Sequence, residues 1–213
     1  MVPQKSSGFT IVELLIVIVV IGILAAIVIV AFNGVQQQAR NAQTVSIIKS
    51  YQKALMRYAI EHQEYPVAGR ACLGEDYPDS GDFITSNSRN CFRSNSSGTV
   101  NAGFNNNIRP YMGGSLPTPS NVIIGAGTNP SWTSRGAILA TNFTTMTIDG
   151  VTHPWVLIYT LEGQTKCPVG PILNLSGWPN LSSGEPSSGF SQLINSGTIG
   201  VECWIAMPDP SKM

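Results

Sequence analysis

From Phe9 to Phe32 the chain reads FTIVELLIVIVVIGILAAIVIVAF, and Thr10 and Glu13 are the only clearly polar side chains in that run. As a helix rising 1.5 Å per residue, about 24 residues would be roughly 36 Å long, enough to cross a bilayer with some tilt. The run ends at Asn33-Gly34, and a more polar pattern follows as far as Pro66. In it Val35, Ala39, Ala42, Val45, Ile48, Tyr51, Leu55 and Tyr58 recur at steps of three and four, which predicts one apolar face on a helical stem. Arg40, Lys49, Lys53 and Arg57 mostly take the other sides, and Glu61 and Glu64 come only near the end. Pro66 cannot continue a helix and biases Tyr65 to extended geometry, so the stem is expected to stop near Glu64.

Residues 67–135 are rich in Gly, Asn, Ser and Pro, and show little sustained periodicity. Strand patterns then gather at Ala137–Ala140, Thr144–Ile148, Val151–Leu161 and Thr198–Ala206, with Asp149-Gly150 as a hairpin signal and His153-Pro154 marking an edge or bulge. The expected fold is α+β: a long N-terminal helix, half membrane-spanning and half amphipathic stem, packed on an antiparallel sheet of three to five strands. The divisions are 1–8, 9–32 (transmembrane), 33–65 (stem), 66–135 (loop-rich) and 136–213 (sheet).

The segment before the apolar run, MVPQKSSG, carries Lys5 and no acidic residue. The positive-inside bias therefore keeps it in the cytoplasm and sends the rest outward. An ordinary secretory signal has a shorter apolar core, of about 7–15 residues, followed by a small-residue cleavage site. An ordinary single-pass anchor fits the length but has no need of Glu13, and an intramembrane carboxylate marks function unless it snorkels to the interface.

The sequence K-S-S-G-F-T-I-V-E-L-L-I-V-I, residues 5–18, resembles the class III signal of type IV pilins and pseudopilins. There a basic leader ends in Gly, a Phe usually follows, and a Glu stands four residues further on; Gly8, Phe9 and Glu13 match. The resemblance runs from Lys5 to about Pro66 and fades beyond it. It implies that a membrane-embedded aspartic prepilin peptidase removes residues 1–8 and methylates the new amine of Phe9. It further implies that Glu13, with Thr10 beside it, sets subunit register by meeting the Phe9 amine of a neighbour. A buried carboxylate is tolerable only when paired, whereas apolar surfaces alone slide without preferred register. Members commonly carry a proline that bends this helix where the present chain has Val30; Gly22 and Asn33-Gly34 are its weak points instead, since glycine costs about 1 kcal/mol against alanine in a helix.

The 213 residues include 12 basic and 12 acidic side chains, so no global field draws the chain to nucleic acid or an acidic surface. Cys72, Cys91, Cys167 and Cys203 lack C-x-x-C spacing and have only His62 and His153 as possible imidazole companions, which disfavours zinc. An even count in an exported chain favours two disulfides; three connectivities are open, and proximity in sequence suggests Cys72 with Cys91 and Cys167 with Cys203. The first would close a loop of about 20 residues, worth roughly 3 kcal/mol. A C-terminal staple of the second kind is also what the resemblance implies.

Other chemistry is sparse. Asp76, Asp79 and Asp82, with Glu75, could hold Ca²⁺, although their spacing is not that of an EF-hand and a solvated acidic loop is the plainer reading. Trp132, Trp155, Trp178 and Trp204 could stack on sugars or simply fill a core. Arg89, Arg93, Arg109 and Arg135 could contact DNA. No G-x-S-x-G, H-E-x-x-H or phosphate-cradling loop is present, so neither an enzyme nor a cofactor is expected. The expected role is a structural subunit of a type IV pilus. Its partners are further copies or other pilins, prepilin peptidase and a membrane assembly platform, and its place is the cytoplasmic membrane and then the extracellular filament. A type II secretion pseudopilin or a minor or competence pilin shares every N-terminal feature, and a membrane-anchored adhesin or enzyme stands further off.

Overall fold

A computed structural model describes residues 8, 10–66, 69–77, 90–93, 98–120, 122, 124–125, 133–141, 147–148, 151–163, 167–168, 189–192 and 200–213. The chain divides into two compact units, Met1–Ala39 and Arg40–Met213. Helix α1 (Ile11–His62) begins in the first and ends in the second.

In the first unit the backbone is helical through Gly22, Asn33 and Gly34, and a methyl group added at either glycine would meet open space. Large apolar side chains from Ile11 to Ile29 are exposed, from 48% at Val20 to 83% at Ile11. So much contiguous apolar surface cannot face water, because monomeric soluble proteins rarely expose patches beyond a few hundred Å². The stretch is long and apolar enough to cross a membrane.

The second unit is built around a sheet. Its strands are β1 (Ala71–Cys72), β2 (Asn90–Arg93), β3 (Gly98–Thr99), β4 (Ile124–Gly125), β5 (Thr133–Ser134), β6 (Ala137–Thr141), β9 (Trp155–Glu162), β10 (Gly189–Gln192) and β11 (Gly200–Met207), in the order β10-β11-β9-β6-β1-β3-β2-β5-β4. All pairings are antiparallel except β1 with β3. The nine strands exceed the expected three to five, because the loop-rich region adds five of two to four residues each to the edge of β6. Such short strands carry too few residues to show a period of two.

Strands β7 (Thr147–Ile148) and β8 (Val151–Thr152) form a separate hairpin across positions 149–150, which lie outside the described residues. The expected strand over Val151–Leu161 is therefore two, broken at His153-Pro154, where proline cannot donate to a ladder.

Side chains of the central strands alternate between two cores. Leu157, Tyr159 and Leu161 join Ala137, Leu139, Val201, Ile205 and Met207 in the core that also holds stem residues Ile48, Tyr51, Leu55 and Tyr58. Val156, Ile158, Ile138, Ala140 and Trp204 point the other way, packing with Cys72, Tyr77 and Cys91. Burial on both faces explains why β6, β9 and β11 read as nearly continuous apolar runs. A short helix, α2 (Ala102–Ile108), contributes Phe104 and Ile108 to the first core, and its start is capped by Asn101, whose side chain accepts from the Phe104 N–H at 3.0 Å. Among the described residues the hydroxyls of Tyr51 and Tyr159 and the Oδ1 of Asn105 are buried with no hydrogen-bond partner. Burial pushes the Tyr159 phenol up to about 12.

The stem enters this unit differently from its apolar pattern. Ile48, Tyr51, Leu55 and Tyr58 are buried and Val45 is half-buried, but Ala42 is exposed, and the polar Asn41 and Thr44 are buried instead. Asn41 Nδ2 donates to the Glu162 carbonyl at 2.7 Å, and its Oδ1 accepts from the Glu162 N–H at 3.1 Å. The amide thus mimics one more strand residue at the end of β9. Thr44 Oγ1 accepts from the Ser120 N–H at 3.2 Å. Arg40 pairs with the Glu162 carboxylate at 2.9 Å, a partly exposed contact that adds little stability. Asn41→Ala leaves both Glu162 backbone groups unpaired, so it is expected to destabilise the head by about 2 kcal/mol in urea unfolding. Asn41→Asp keeps the acceptor, loses the donor and sets a charge beside Glu162; a loss no smaller than that of alanine is expected.

The helix stops at His62, where Gln63 turns to φ 58°, close to the expected end. Its N–H still reaches the Ala59 carbonyl at 2.8 Å, a left-handed C-terminal cap. Tyr65 follows, buried, with its hydroxyl donating to the Pro208 carbonyl at 2.9 Å and its ring edge-on to Trp155.

Disulfides join Cys72 to Cys91 and Cys167 to Cys203. The first spans β1 and β2 across the intervening β3, and there Gly98 leaves little room: a Cβ would lie 2.6 Å from Ile138 Cδ1 and 3.3 Å from Cys91 Sγ, so the end of the Ile138 side chain would have to move. The second ties the segment after β9 to the middle of β11.

Candidate processing and assembly site

Thr10 precedes the first helical residue and Glu13 is the third within the helix. The Glu13 Oε2 accepts from both the Thr10 N–H and the Thr10 hydroxyl at 2.7 Å, while the Glu13 N–H reaches back to Thr10 Oγ1 at 3.3 Å. This is a capping box, in which each residue satisfies a backbone donor that the helix start leaves open. The carboxylate also stands at the positive end of the helix dipole. The pattern T-x-x-E ahead of an apolar run is visible in the sequence, and was the signal available for this second role of Glu13.

Gly8 is exposed, and a Cβ there would meet nothing within 4 Å. Among the described residues no contact requires glycine at that position. Phe9 lies outside the described residues, as do residues 1–7.

The remaining candidates are dispersed. Glu75 forms an ion pair with Arg109, and the Asp76 N–H donates to Thr118 Oγ1 at 2.9 Å; Asp79 and Asp82 lie outside the described residues. Among the described residues no three His, Cys, Asp or Glu side chains are grouped to hold a metal ion. Arg135 is buried with its guanidinium 5.6 Å from the centre of the Tyr77 ring, a packing role that removes it from any surface for DNA. Arg89 lies outside the described residues. Trp204 is buried in the sheet core, which removes it from any surface for a sugar, and Trp155 is half-buried beside Tyr65; Trp132 and Trp178 lie outside the described residues.

Residues 3–29 match the family model described as the prokaryotic N-terminal methylation motif. The chain is 36% identical over 66 residues to the type II secretion system core protein G of Aeromonas hydrophila, covering 31% of this chain and 46% of that protein. To the core protein G of Escherichia coli K12 it is 35% identical over 67 residues, 32% of this chain and 46% of the relative. To the fimbrial protein of Neisseria meningitidis serogroup B it is 34% identical over 60 residues, 28% and 35% of the two chains. The chain thus spans less than half the length of these curated relatives. No solved structure matches it. The methylation motif, the apolar helix that carries it and these relatives make the N-terminal part of the chain similar to type IV pilins and pseudopilins.

Proposed function

We propose that this chain is a structural subunit of a type IV pilus, made as a membrane-anchored precursor, cut between Gly8 and Phe9, methylated at Phe9 and assembled through α1 with other copies or other pilins. It acts by polymerising and carries out no reaction of its own. The observation that carries this reading is the exposed apolar surface of Ile11–Ile29, interrupted only by the Thr10–Glu13 cap. A bilayer covers that surface before assembly, and neighbouring helices cover it afterwards. Lys5 in the leader keeps the N-terminus in the cytoplasm and the head outside. In the filament Glu13 pairs with the Phe9 amine of a neighbour, and Thr10 fixes the carboxylate that makes the contact. The prepilin peptidase and a membrane assembly platform are the partners this route requires.

The second reading, a type II secretion pseudopilin, is favoured by the relatives named as core protein G. The disulfide-stapled second unit leans the other way, towards a subunit that forms a durable outer surface. An inventory of sheared surface filaments by mass spectrometry separates the two. A pilin dominates the sheared material, whereas a pseudopilin stays with the cell envelope.

A further inference from the structure

Between α1 and the segment 111–117 runs a groove of about 410 Å³, with Ile47, Ala54, Met112 and Pro117 among its lining residues and Lys53 and Arg57 as its charges. Among the described residues no carboxylate lines it. Lys53 and Arg57 are exposed and, like Lys49, have no ion pair among the described residues. Lys49, Lys53, Arg57 and Glu61 follow one another at intervals of four, so they form a single ridge on the helix surface. Three successive positive charges are thus followed by Glu61, and Glu64 comes just past the helix end. Both are exposed. From Leu14 to Ile60 the helix carries no acidic residue at all.

We infer that this groove is an interface for a second copy of the chain, whose Glu61–Glu64 turn lies against Lys53 and Arg57. The inference rests on the pilin reading, because it supplies a contact that a filament of these chains would use. Parallel stems packed without stagger would set the three cations of one copy against the same three of the next. Like charges so placed suppress association, and opposite charges fix register. A stagger of seven to eight residues, roughly 10–12 Å at the helical rise, instead sets Glu61 of one stem beside Lys53 of the other and Glu64 beside Arg57. Because the donor and acceptor surfaces differ, the contact is head-to-tail and repeats without closing, as a filament needs. Glu61 already accepts a hydrogen bond from the Tyr111 hydroxyl, which pushes that phenol up to about 12 and fixes the carboxylate at the end of the groove.

The test is charge exchange in the full-length chain, reading sheared filaments against total subunit by immunoblot. Lys53→Glu with Arg57→Glu is expected to leave subunit abundance and processing unchanged, since neither side chain has an ion pair among the described residues, and to lower filament yield by about tenfold or more. Glu61→Lys with Glu64→Lys should lower filament yield likewise, although it also breaks the hydrogen bond from Tyr111 to Glu61, and the fourfold variant should restore filaments. Loss from the first pair that the fourfold variant does not repair would overturn the self-contact in favour of another acidic partner. Normal filaments from both pairs would overturn it while leaving the pilin reading intact. Absence of filaments from the unaltered chain would contradict the pilin reading, and this interface with it.

Discussion

Replacing Gly8 with arginine is expected to leave the chain at its full precursor length in the membrane, with no detectable mature band and no filaments. A guanidinium on a long stem could not fit where a peptidase closes around bare backbone, and glycine alone permits that close approach. The structure shapes this expectation. A Cβ at Gly8 meets nothing within 4 Å among the described residues, so the substitution is expected to leave folding of the second unit alone. Loss of cleavage with a normally oxidised head would therefore report recognition, and an immunoblot with and without reductant reads both at once. A mature-size band from the arginine variant would remove the assigned cleavage site.

The second large effect separates two roles of Glu13. Its carboxylate caps α1 through Thr10, and the assembly reading also asks it to pair with a neighbour's amine. Glutamine serves in a capping box as glutamate does but brings no charge. Glu13→Gln is therefore expected to be inserted and processed normally and still lose filaments as severely as Glu13→Ala. Thr10→Val makes the complementary change, keeping the charge and removing the hydroxyl. The cost of a lost N-cap side chain is on the order of 1 kcal/mol, small for a helix held along its length by apolar contacts. Filaments should then be reduced but present. If Glu13→Gln assembles like the unaltered chain while Thr10→Val fails, the cap is the function and the inter-subunit pair is not.

What the sequence made legible follows from how each signal arises. The apolar run from Phe9 to Phe32 and the stem residues Ile48, Tyr51, Leu55 and Tyr58 declare themselves because a helix repeats its buried face over many turns. Strands β6, β9 and β11 stand out because both their faces are buried. Asn41 and Thr44 escape notice because their burial rests on single hydrogen-bonded partners in distant segments, Glu162 and Ser120, and leaves no period. Arg135, a buried charge whose guanidinium lies near the Tyr77 ring, likewise leaves no period. Helix α2 has only seven residues, AGFNNNI, of poor helix propensity, and it stands on the Asn101 cap and two buried anchors. Of the assembly site, Gly8 and Glu13 were readable as spacing, whereas the Thr10 bonds needed coordinates to be seen.

The second unit carries its own stability in two cores and two disulfides, while the first carries almost no burial within the chain. That division suits a subunit whose first unit is completed only by its surroundings, lipid before assembly and other helices after it. On the proposed reading, the charge order of the stem, three cations and then two carboxylates, sets register at a second place beside Glu13.

The most direct measurement is mass spectrometry of the native N-terminus in sheared surface material. The account predicts a chain beginning at Phe9, with a methyl group on its α-amine and residues 1–8 absent. A chain that retains residues 1–8, or one cut beyond Phe32 with the apolar helix removed, would contradict it.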